Sequence, residues 1–389
     1  MRIEEQRIGP ALRIVLAVLA LSAALGIAAC GGDEGIEGEE QNGGEIPVAE
    51  AEGEPGGQLF VSNWPFYIDA KTVPEFEQKT GISVKYVEDV NDNTQFFGKV
   101  QPLLDRGESG GRDIMVVTDW MAKKMYDLGY LQHLDQEAIA PALENLKPSL
   151  RNPSIDPERD YTLPWQGGMT GLVVNTAEAP DVTSINDLFD PQYEGKVTML
   201  SELRDTVPLV MKADGVDPAE ATEEEWMAAI DRIREAAESG QIRKFTGNEY
   251  TRDLANGDAV AVIGWSGDAV QLQADDPDIE FVMPDEGCML WFDDMVIPVG
   301  APNPSAAYEW MDYVYAPENQ AQIANYNYYF TPVDGVQPIL EKQGSDAAKS
   351  ELVFPSDDYI ADCTTQDNPQ GGPEVEQRIE REWESVTTG

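Results

Sequence analysis

Histidine is almost absent from this chain of 389 residues, and His133 is its single copy. A His-based catalytic triad would depend on that one residue, which is expected at the surface, and a metal site with several His ligands cannot be built. The three cysteines lack metal-ligand spacing, and there is no glycine-rich phosphate loop of the Walker type. No motif therefore indicates an enzyme, and no cofactor or metal is expected.

Basic residues are also scarce: 26 Lys and Arg stand against 72 Asp and Glu, a formal net charge of −46. Such a field repels phosphate, so nucleic acid is not expected as a partner. The acidity has two explanations, a surface adapted to high salt and a preference for cationic ligands. The total charge alone does not choose between them.

Long apolar runs are missing except at the start, where residues 14–27 are rich in Ile, Val, Leu and Ala. The run follows three arginines and is too short to span a bilayer comfortably. It ends in Ile27-Ala28-Ala29-Cys30-Gly31. We interpret residues 1–29 as a lipoprotein signal peptide, with cleavage before Cys30 and lipidation of its thiol. An ordinary secretory signal or a retained helix is the alternative.

Residues 30–57 contain many glycines, nine acidic residues and no Lys or Arg. Like charges repel and little apolar surface can be buried, so this segment is predicted to be an extended tether.

If Cys30 is lipidated, Cys288 and Cys363 remain as an even pair in an oxidising compartment. A disulfide between them is predicted, and two free buried thiols are the alternative.

From residue 58 to 389, short apolar segments alternate with amphipathic ones, which predicts an α/β protein with largely parallel sheets in two domains. Ile114–Val117 is a continuous apolar strand, and 171–175 is another. Thr222 and Glu225 form the pattern of a capping box that opens a helix to Glu238. Residues 354–372 have little periodicity and are predicted to wrap over the surface.

Four tryptophans, Trp64, Trp120, Trp265 and Trp291, are expected just after strands or in the turns beyond them, whereas Trp165 is placed in a loop before two glycines. In α/β domains ligands bind at the carboxyl ends of strands. Indole faces attract cations, and the carboxylates beside Trp291 can accept charge-assisted hydrogen bonds. This combination predicts a site for an ammonium group on a methylene chain.

Several motifs in order resemble the spermidine/putrescine-binding proteins of bacterial polyamine ABC importers. The similarity runs from about residue 59 to 332. The motifs are Asn63-Trp64-x-x-Tyr67-Ile68, Phe76-Glu77-x-x-Thr80-Gly81-Ile82-x-Val84, Asn152-Pro153-x-x-Asp156-Pro157, Leu188-Phe189-Asp190-Pro191-x-Tyr193-x-Gly195-Lys196, Gly264-Trp265-Ser266-Gly267-Asp268-Ala269, Pro284-x-Glu286-Gly287, Trp291-x-Asp293 and Tyr329-x-Thr331-Pro332.

The resemblance implies a two-lobed type II periplasmic-binding-protein fold, with a hinge of crossover strands and a ligand cleft between the lobes. The first lobe is expected at 58–169 and 294–336, and the second at 170–293 and 337–389. It also implies a set of ligand-binding residues, with Gln366 as a further guess: Trp64, Tyr67, Thr118, Trp120, Glu202, Asp205, Trp265, Trp291, Asp293 and Tyr329.

Asp119 and Asp294 add carboxylates near the expected site, and Pro65 replaces a hydroxyl residue of the family. The expected partners are a small polyamine and an ABC permease in the cytoplasmic membrane, and the protein is expected to be a monomer anchored outside the cytoplasm. Another amine ligand, a sensory role and an enzyme acting on a cationic substrate are the rival hypotheses. A ligand with a carboxylate would need an Arg in the cleft, where Arg204 is the one candidate.

Overall fold

The computed structural model describes residues 46–388, which form twelve strands and twelve α-helices joined by loops and short 3-10 turns. The strands are β1 (Val48–Ala49), β2 (Gln58–Asn63), β3 (Ser83–Glu88), β4 (Ile114–Thr118), β5 (His133–Leu134), β6 (Leu163–Asn175), β7 (Val197–Leu200), β8 (Ile242–Thr246), β9 (Ala261–Trp265), β10 (Ile279–Val282), β11 (Met289–Val296) and β12 (Thr364–Thr365). The helices are α1 (Thr72–Thr80), α2 (Asn93–Leu104), α3 (Asp119–Asp127), α4 (Gln136–Asn145), α5 (Leu203–Ala213), α6 (Glu223–Glu238), α7 (Tyr250–Ala255), α8 (Ser266–Gln273), α9 (Pro304–Tyr315), α10 (Pro317–Asn327), α11 (Val336–Gln343) and α12 (Pro373–Thr387).

Local sequence explains several element boundaries. Thr222 and Glu225 form the reciprocal capping box that was predicted, with Thr222 directly before α6 and Glu225 in its first turn. Asp92 caps α2 by accepting a hydrogen bond from the backbone N–H of Gln95 at 2.9 Å. All five residues of β4 are buried, which agrees with its unbroken apolar run.

One large sheet runs in the order β3-β2-β4-β11-β6-β9-β7-β8, with β10 paired to β6 and β12 to β11. Strands β2, β3 and β4 pair in parallel and form the first strand group. Strands β7, β8 and β9 also pair in parallel and form the second strand group. The antiparallel strands β6 and β11 lie between the two groups and connect them.

The two central strands change partners along their length. β11 pairs with β4 from Asp293 to Val296, and its register with β6 shifts between Asp293 and Asp294. β6 pairs with β9 only from Thr170 onward. The chain therefore passes from one strand group to the other near residues 170 and 293, and this places Asp293 between them.

Two segments differ from their prediction. Trp165 lies within β6 and is 2% exposed, rather than in a loop. Residues 46–57, predicted as the end of the tether, pack on the body, because β1 pairs with β5 and Ala49 is buried. The predicted signal peptide and the predicted lipidation site, Cys30, lie outside the described residues.

Cys288 and Cys363 form a disulfide, with their Cα atoms 4.4 Å apart. It ties β11 to the segment that carries β12, which is otherwise a two-residue strand. Within residues 46–388 no helix is both long and apolar enough to cross a bilayer.

Replacing both cysteines (Cys288→Ala with Cys363→Ala) is expected to lower the free energy of unfolding by about 2–5 kcal/mol, because the disulfide restricts the unfolded chain. Urea unfolding at fixed salt measures the difference. Reductant should bring the wild type to the level of the double variant and leave the variant unchanged. Identical wild-type unfolding with and without reductant would contradict the pairing.

Candidate ligand-binding site

One cavity lies where the carboxyl ends of the parallel strands of both groups meet β11. The space between its walls is about 360 Å³, open solvent at its mouth included. Its lining draws on the residues that end or follow β2, β3, β4, β7, β8 and β9, as expected for a ligand site in an α/β fold. The lining residues are Trp64, Pro65, Tyr67, Asn93, Thr118, Glu202, Asp205, Asn248, Trp265, Trp291, Asp293, Tyr329 and Gln366.

The turn after β2 supplies two aromatic walls. Trp64 and Tyr67 are 6% and 3% exposed, whereas Phe66 between them is 46% exposed. Phe66 has a φ of 59°, in the left-handed region that non-glycine residues seldom adopt. This backbone conformation allows one turn to bury two rings at the cavity and leave the third in solvent.

Asp293, on the central strand β11, is the first of three carboxylates that line the cavity. It faces Thr118 across the β11–β4 pair, and the Thr118 hydroxyl donates to its Oδ1 at 2.8 Å. Burial raises the pKa of Asp293 to about 7, and the hydrogen bond from Thr118 offsets part of that rise. A cation in the cavity would favour the ionised form.

Asp205, in the first turn of α5, is the second carboxylate. Its Oδ1 accepts hydrogen bonds from the Thr170 hydroxyl and from Gln366 Nε2, the latter at 2.7 Å. Burial raises its pKa to about 7, although these bonds favour the charged form. Gln366, which was only a guess from the sequence, thus lies in the cavity and orients Asp205.

Glu202 is the third carboxylate, and it connects the two strand groups. Its Oε1 accepts from the backbone N–H of Asn93 and from Asn93 Nδ2, the latter at 3.0 Å. The two residues before Asn93 also bond to the second strand group: Asp92 accepts from Ser201 at 2.6 Å, and Asn91 accepts from a backbone N–H of the loop after β8 at 3.1 Å. Burial raises the pKa of Glu202 well above its usual value.

The remaining walls are aromatic rings packed against one another, two pairs of them edge to face. Trp64 contacts Trp265 with ring centroids 5.6 Å apart, and Tyr67 contacts Tyr329 at 4.9 Å. Trp291 lies against Tyr329 at 5.5 Å, and its Nε1 donates to the Thr170 hydroxyl at 3.0 Å. Trp291 stands within β11 and Trp265 ends β9, so neither lies beyond its strand as expected.

Glycines of β6 make room for Trp291. A Cβ atom on Gly168 would lie 2.5 Å from Trp291 Cζ2, and one on Gly167 would lie 2.6 Å from the ring of Phe292. Such approaches are too close for any larger residue. The Gly167-Gly168 pair, which looked like a loop, is therefore what allows the indole to lie over β6.

Trp120 is not brought into the cavity lining. It lies in the first turn of α3, and the Arg204 guanidinium stacks on its ring at 3.6 Å. Arg204 also binds Glu376 and Glu380 of α12, at 2.7 and 3.3 Å. Arg204 is thus directed away from the ligand site, and it offers no partner there for the carboxylate of a ligand.

The added acids also lie outside the lining. Asp294 pairs with Arg159 at 3.3 Å, on the other side of β11 from Asp293. Asp119 bonds the N–H of Trp120, and burial raises its pKa well above the usual value.

Sequence reasoning missed Asn93 and Asn248 as lining residues. Both follow strand ends, β3 and β8, so the rule that ligands bind at carboxyl ends could have found them. Asn is common in turns, and that masked the signal.

The charge of the cavity decides what it can hold. Three carboxylates and five aromatic side chains line it, and there is no Lys, Arg or His among these lining residues. Buried carboxylates without a cation are costly, and indole faces attract positive charge. The site therefore suits a small organic cation with apolar parts. Among residues 46–388 no cluster of three or more acidic, His or Cys side chains is arranged to hold a metal ion.

Comparison with known proteins agrees with this fold. The spermidine/putrescine-binding periplasmic protein of Escherichia coli is 25% identical over 318 residues, covering 81% of this chain and 88% of the relative. The putrescine/agmatine-binding protein of Pseudomonas aeruginosa is 26% identical over 311 residues, covering 73% and 81%. A solved structure from Listeria monocytogenes, provisionally described as a spermidine/putrescine ABC transporter, superposes with a TM-score of 0.75 at 26% identity, covering 85% and 98%.

The fold is the two-lobed, type II periplasmic-binding-protein fold that the resemblance implied, with β6 and β11 as the crossover strands. The family model of bacterial extracellular solute-binding proteins matches residues 71–351. The chain belongs to the family of bacterial extracellular solute-binding proteins.

Proposed function

We propose that this protein captures a polyamine of the putrescine or spermidine class in its cavity and delivers it to an ABC permease. One observation carries the proposal: three carboxylates and five aromatic side chains line the cavity, without any basic lining residue. Carboxylates would bind the ammonium groups, and the rings would pack on the methylenes between them. The relatives named for spermidine and putrescine support the same ligand class.

Each candidate ligand-binding residue has a part in this proposal. Asp293 and Asp205 bind ammonium groups, and Glu202 contributes charge while it bonds Asn93. Trp64, Tyr67, Trp265, Trp291 and Tyr329 form the walls. Thr118 orients Asp293, and Trp120 acts from outside through its contact with Arg204.

Capture would proceed by closure of two lobes. The proposed boundaries, 58–169 with 294–336 and 170–293 with 337–389, agree with the changes of strand partner at Thr170 and at Asp293/Asp294. Lining residues come from both strand groups, so a ligand that contacts both favours the closed form.

The protein would act as a binding component rather than as an enzyme. We place it outside the cytoplasm as a monomer, anchored through a lipid on Cys30 beside its permease. Several acyl chains on one residue give stable attachment, whereas a single chain is marginal. Radiolabelled fatty acid incorporation that is lost in Cys30→Ala tests the anchor.

Thermal unfolding tests the ligand class. A soluble form beginning at Gly31 keeps β1 and can be heated with putrescine, spermidine, spermine, γ-aminobutyrate and glutamate at fixed ionic strength. A ligand at 100 times its dissociation constant stabilises the fold by about 2.7 kcal/mol. A rise in melting temperature with the polyamines alone supports the proposal. An equal rise with Mg²⁺ at matched ionic strength would show only loose counterion binding and would contradict it.

The glycine beneath Trp291 gives a steric prediction. Gly168→Ala should weaken polyamine binding by about tenfold or more, because the added Cβ displaces an indole that provides cation–π and methylene contact. Gly98→Ala is the matched control, since no atom lies within 4 Å of a Cβ built there. Titration calorimetry checks both, and equal affinities in the two variants would contradict the placement of Trp291.

A further inference from the structure

Asn248 has a buried acceptor that the protein does not use. It follows β8, lines the cavity and is only 6% exposed. Its Nδ2 donates to Asp268 Oδ2 at 3.0 Å, but its Oδ1 has no hydrogen-bond partner among residues 46–388. A buried carbonyl oxygen left without a donor destabilises the fold unless another molecule supplies one.

Asp268 determines which atom of the Asn248 side-chain amide remains without a hydrogen-bond partner. Its carboxylate accepts from the hydroxyls of Tyr250 at 2.8 Å and Tyr329 at 2.9 Å, so it is held from two sides. An ionised carboxylate only accepts hydrogen bonds, so Asn248 must turn its NH₂ toward it. The amide oxygen is then the polar atom that remains for a molecule in the cavity.

The backbone also holds Asn248 in place. Its N–H donates to Asn91 Oδ1 at 3.1 Å. The preceding Gly247 lies so close that a Cβ there would be 2.1 Å from the carbonyl oxygen of Asn91. The loop after β8 cannot easily shift to bury Oδ1 against other protein atoms.

We propose that Asn248 Oδ1 accepts a hydrogen bond from an N–H of the bound amine, and that Asp268 is the positioning residue that presents it. The proposal rests on the proposed function and extends it, because it adds an uncharged acceptor to the three carboxylates. An ammonium N–H is a donor only, so it satisfies this oxygen, whereas a methyl group in the same place leaves it unpaired. Asn248 thus selects ligands with an N–H at this point of the cavity.

Calorimetric titration with putrescine and with spermidine tests this inference. Asn248→Ala should weaken at least one of them about 10- to 100-fold, the range for a hydrogen bond to a charged group. Gln320→Ala is the matched control, because Gln320 is also a buried amide with an unpartnered atom, yet it does not line the cavity. Asn248→Ser, which keeps a small polar group, serves if the alanine variant does not fold.

Asp268→Asn separates positioning from general damage. It should weaken binding more in the wild type than in the Asn248→Ala background, since both changes remove the Asn248 hydrogen bond and only the effect through Tyr329, which also bonds Asp268, remains in the variant. Equal losses in both backgrounds would overturn the positioning argument.

The two proposals fail in different ways. If the wild type binds neither polyamine, the proposed function fails and this inference with it. If the wild type binds and the folded Asn248 variants bind as tightly, only the inference is overturned.

Discussion

Asp293→Asn should weaken polyamine binding by about 30- to 5,000-fold, the equivalent of about 2–5 kcal/mol for one member of a buried charge pair. The reason is the position of the carboxylate: it is 3% exposed, lies between the two strand groups and is held by Thr118. The variant keeps the shape of the side chain and removes only its charge. Titration calorimetry at pH 8 measures the loss.

The same substitution should not lower the stability of the free protein. Burial raises the pKa of Asp293 to about 7, above its unfolded value, so the folded state holds the proton more tightly. Stability from this group is therefore fully present at low pH and is lost as the pH rises through 7. At pH 8 the neutral amide avoids that loss, and the melting temperature should stay equal or rise.

Asp294→Asn is the matched control for Asp293→Asn. The two acids are neighbours on β11, but Asp294 pairs with Arg159 outside the cavity lining. Burial raises the pKa of Asp294 to about 7 as well, in spite of Arg159, so this variant also removes a buried charge. Polyamine affinity should be retained, because Asp294 does not line the cavity. If Asp294→Asn abolishes binding and Asp293→Asn does not, the assignment of the site is wrong.

Polyamine affinity should fall steeply as the pH drops below 7. Burial raises the pKa values of Asp205 and Asp293 to about 7 and raises that of Glu202 as well, so these groups hold protons in the free protein. A bound ammonium favours the ionised form, so binding releases protons. Affinity then decreases about tenfold per pH unit for each carboxylate that must ionise. Above pH 8 Asp205 and Asp293 are already ionised, so their part of the pH dependence should level off.

Proton release can be measured directly. Titrations at pH 6.5 in two buffers of different ionisation enthalpy should give different apparent heats, and the slope gives the number of protons released. In Asp293→Asn the number of protons released should be smaller by the number that Asp293 itself releases in the wild type. A pH-independent affinity between 5 and 8 would mean that the cavity acids are already ionised before the ligand arrives.

Much of this site can be predicted from sequence, because the apolar pattern of a strand indicates where the strand ends. The apolar runs before Thr118 and before Trp64 indicate two strands and where they end, and side chains there converge at one edge of a parallel sheet. The choice of Glu202 and Asp205 among the many acids depended instead on resemblance to a family. In a chain this acidic, composition cannot distinguish a ligand-binding carboxylate from a solvated one.

What could not be predicted depends on contacts between distant residues. Trp120 follows β4 as a cavity wall would, but Arg204 stacks on its ring from another helix. Asn is common in turns, so the sequence did not single out Asn248, and only its bond to Asp268 shows which amide atom has no partner among the described residues. The glycines at 167 and 168 suggested a loop. Their contacts with Trp291 and Phe292 could not be recognised from the sequence, because those two residues are more than 120 positions away.

The bonds from residues 91–93 to Ser201, Glu202 and Asn248 have a consequence for comparing this protein with its relatives. They join the two strand groups through protein atoms alone, so under the proposed closure they would contribute to the free energy of the closed form whichever ligand is present. Measured affinity is the intrinsic affinity of the closed cavity multiplied by the fraction of protein that can adopt it. Two relatives with identical cavity linings can therefore differ widely in affinity, and substitutions at Asp92 or Ser201, which do not line the cavity, offer evolution a way to retune uptake without changing what is taken up.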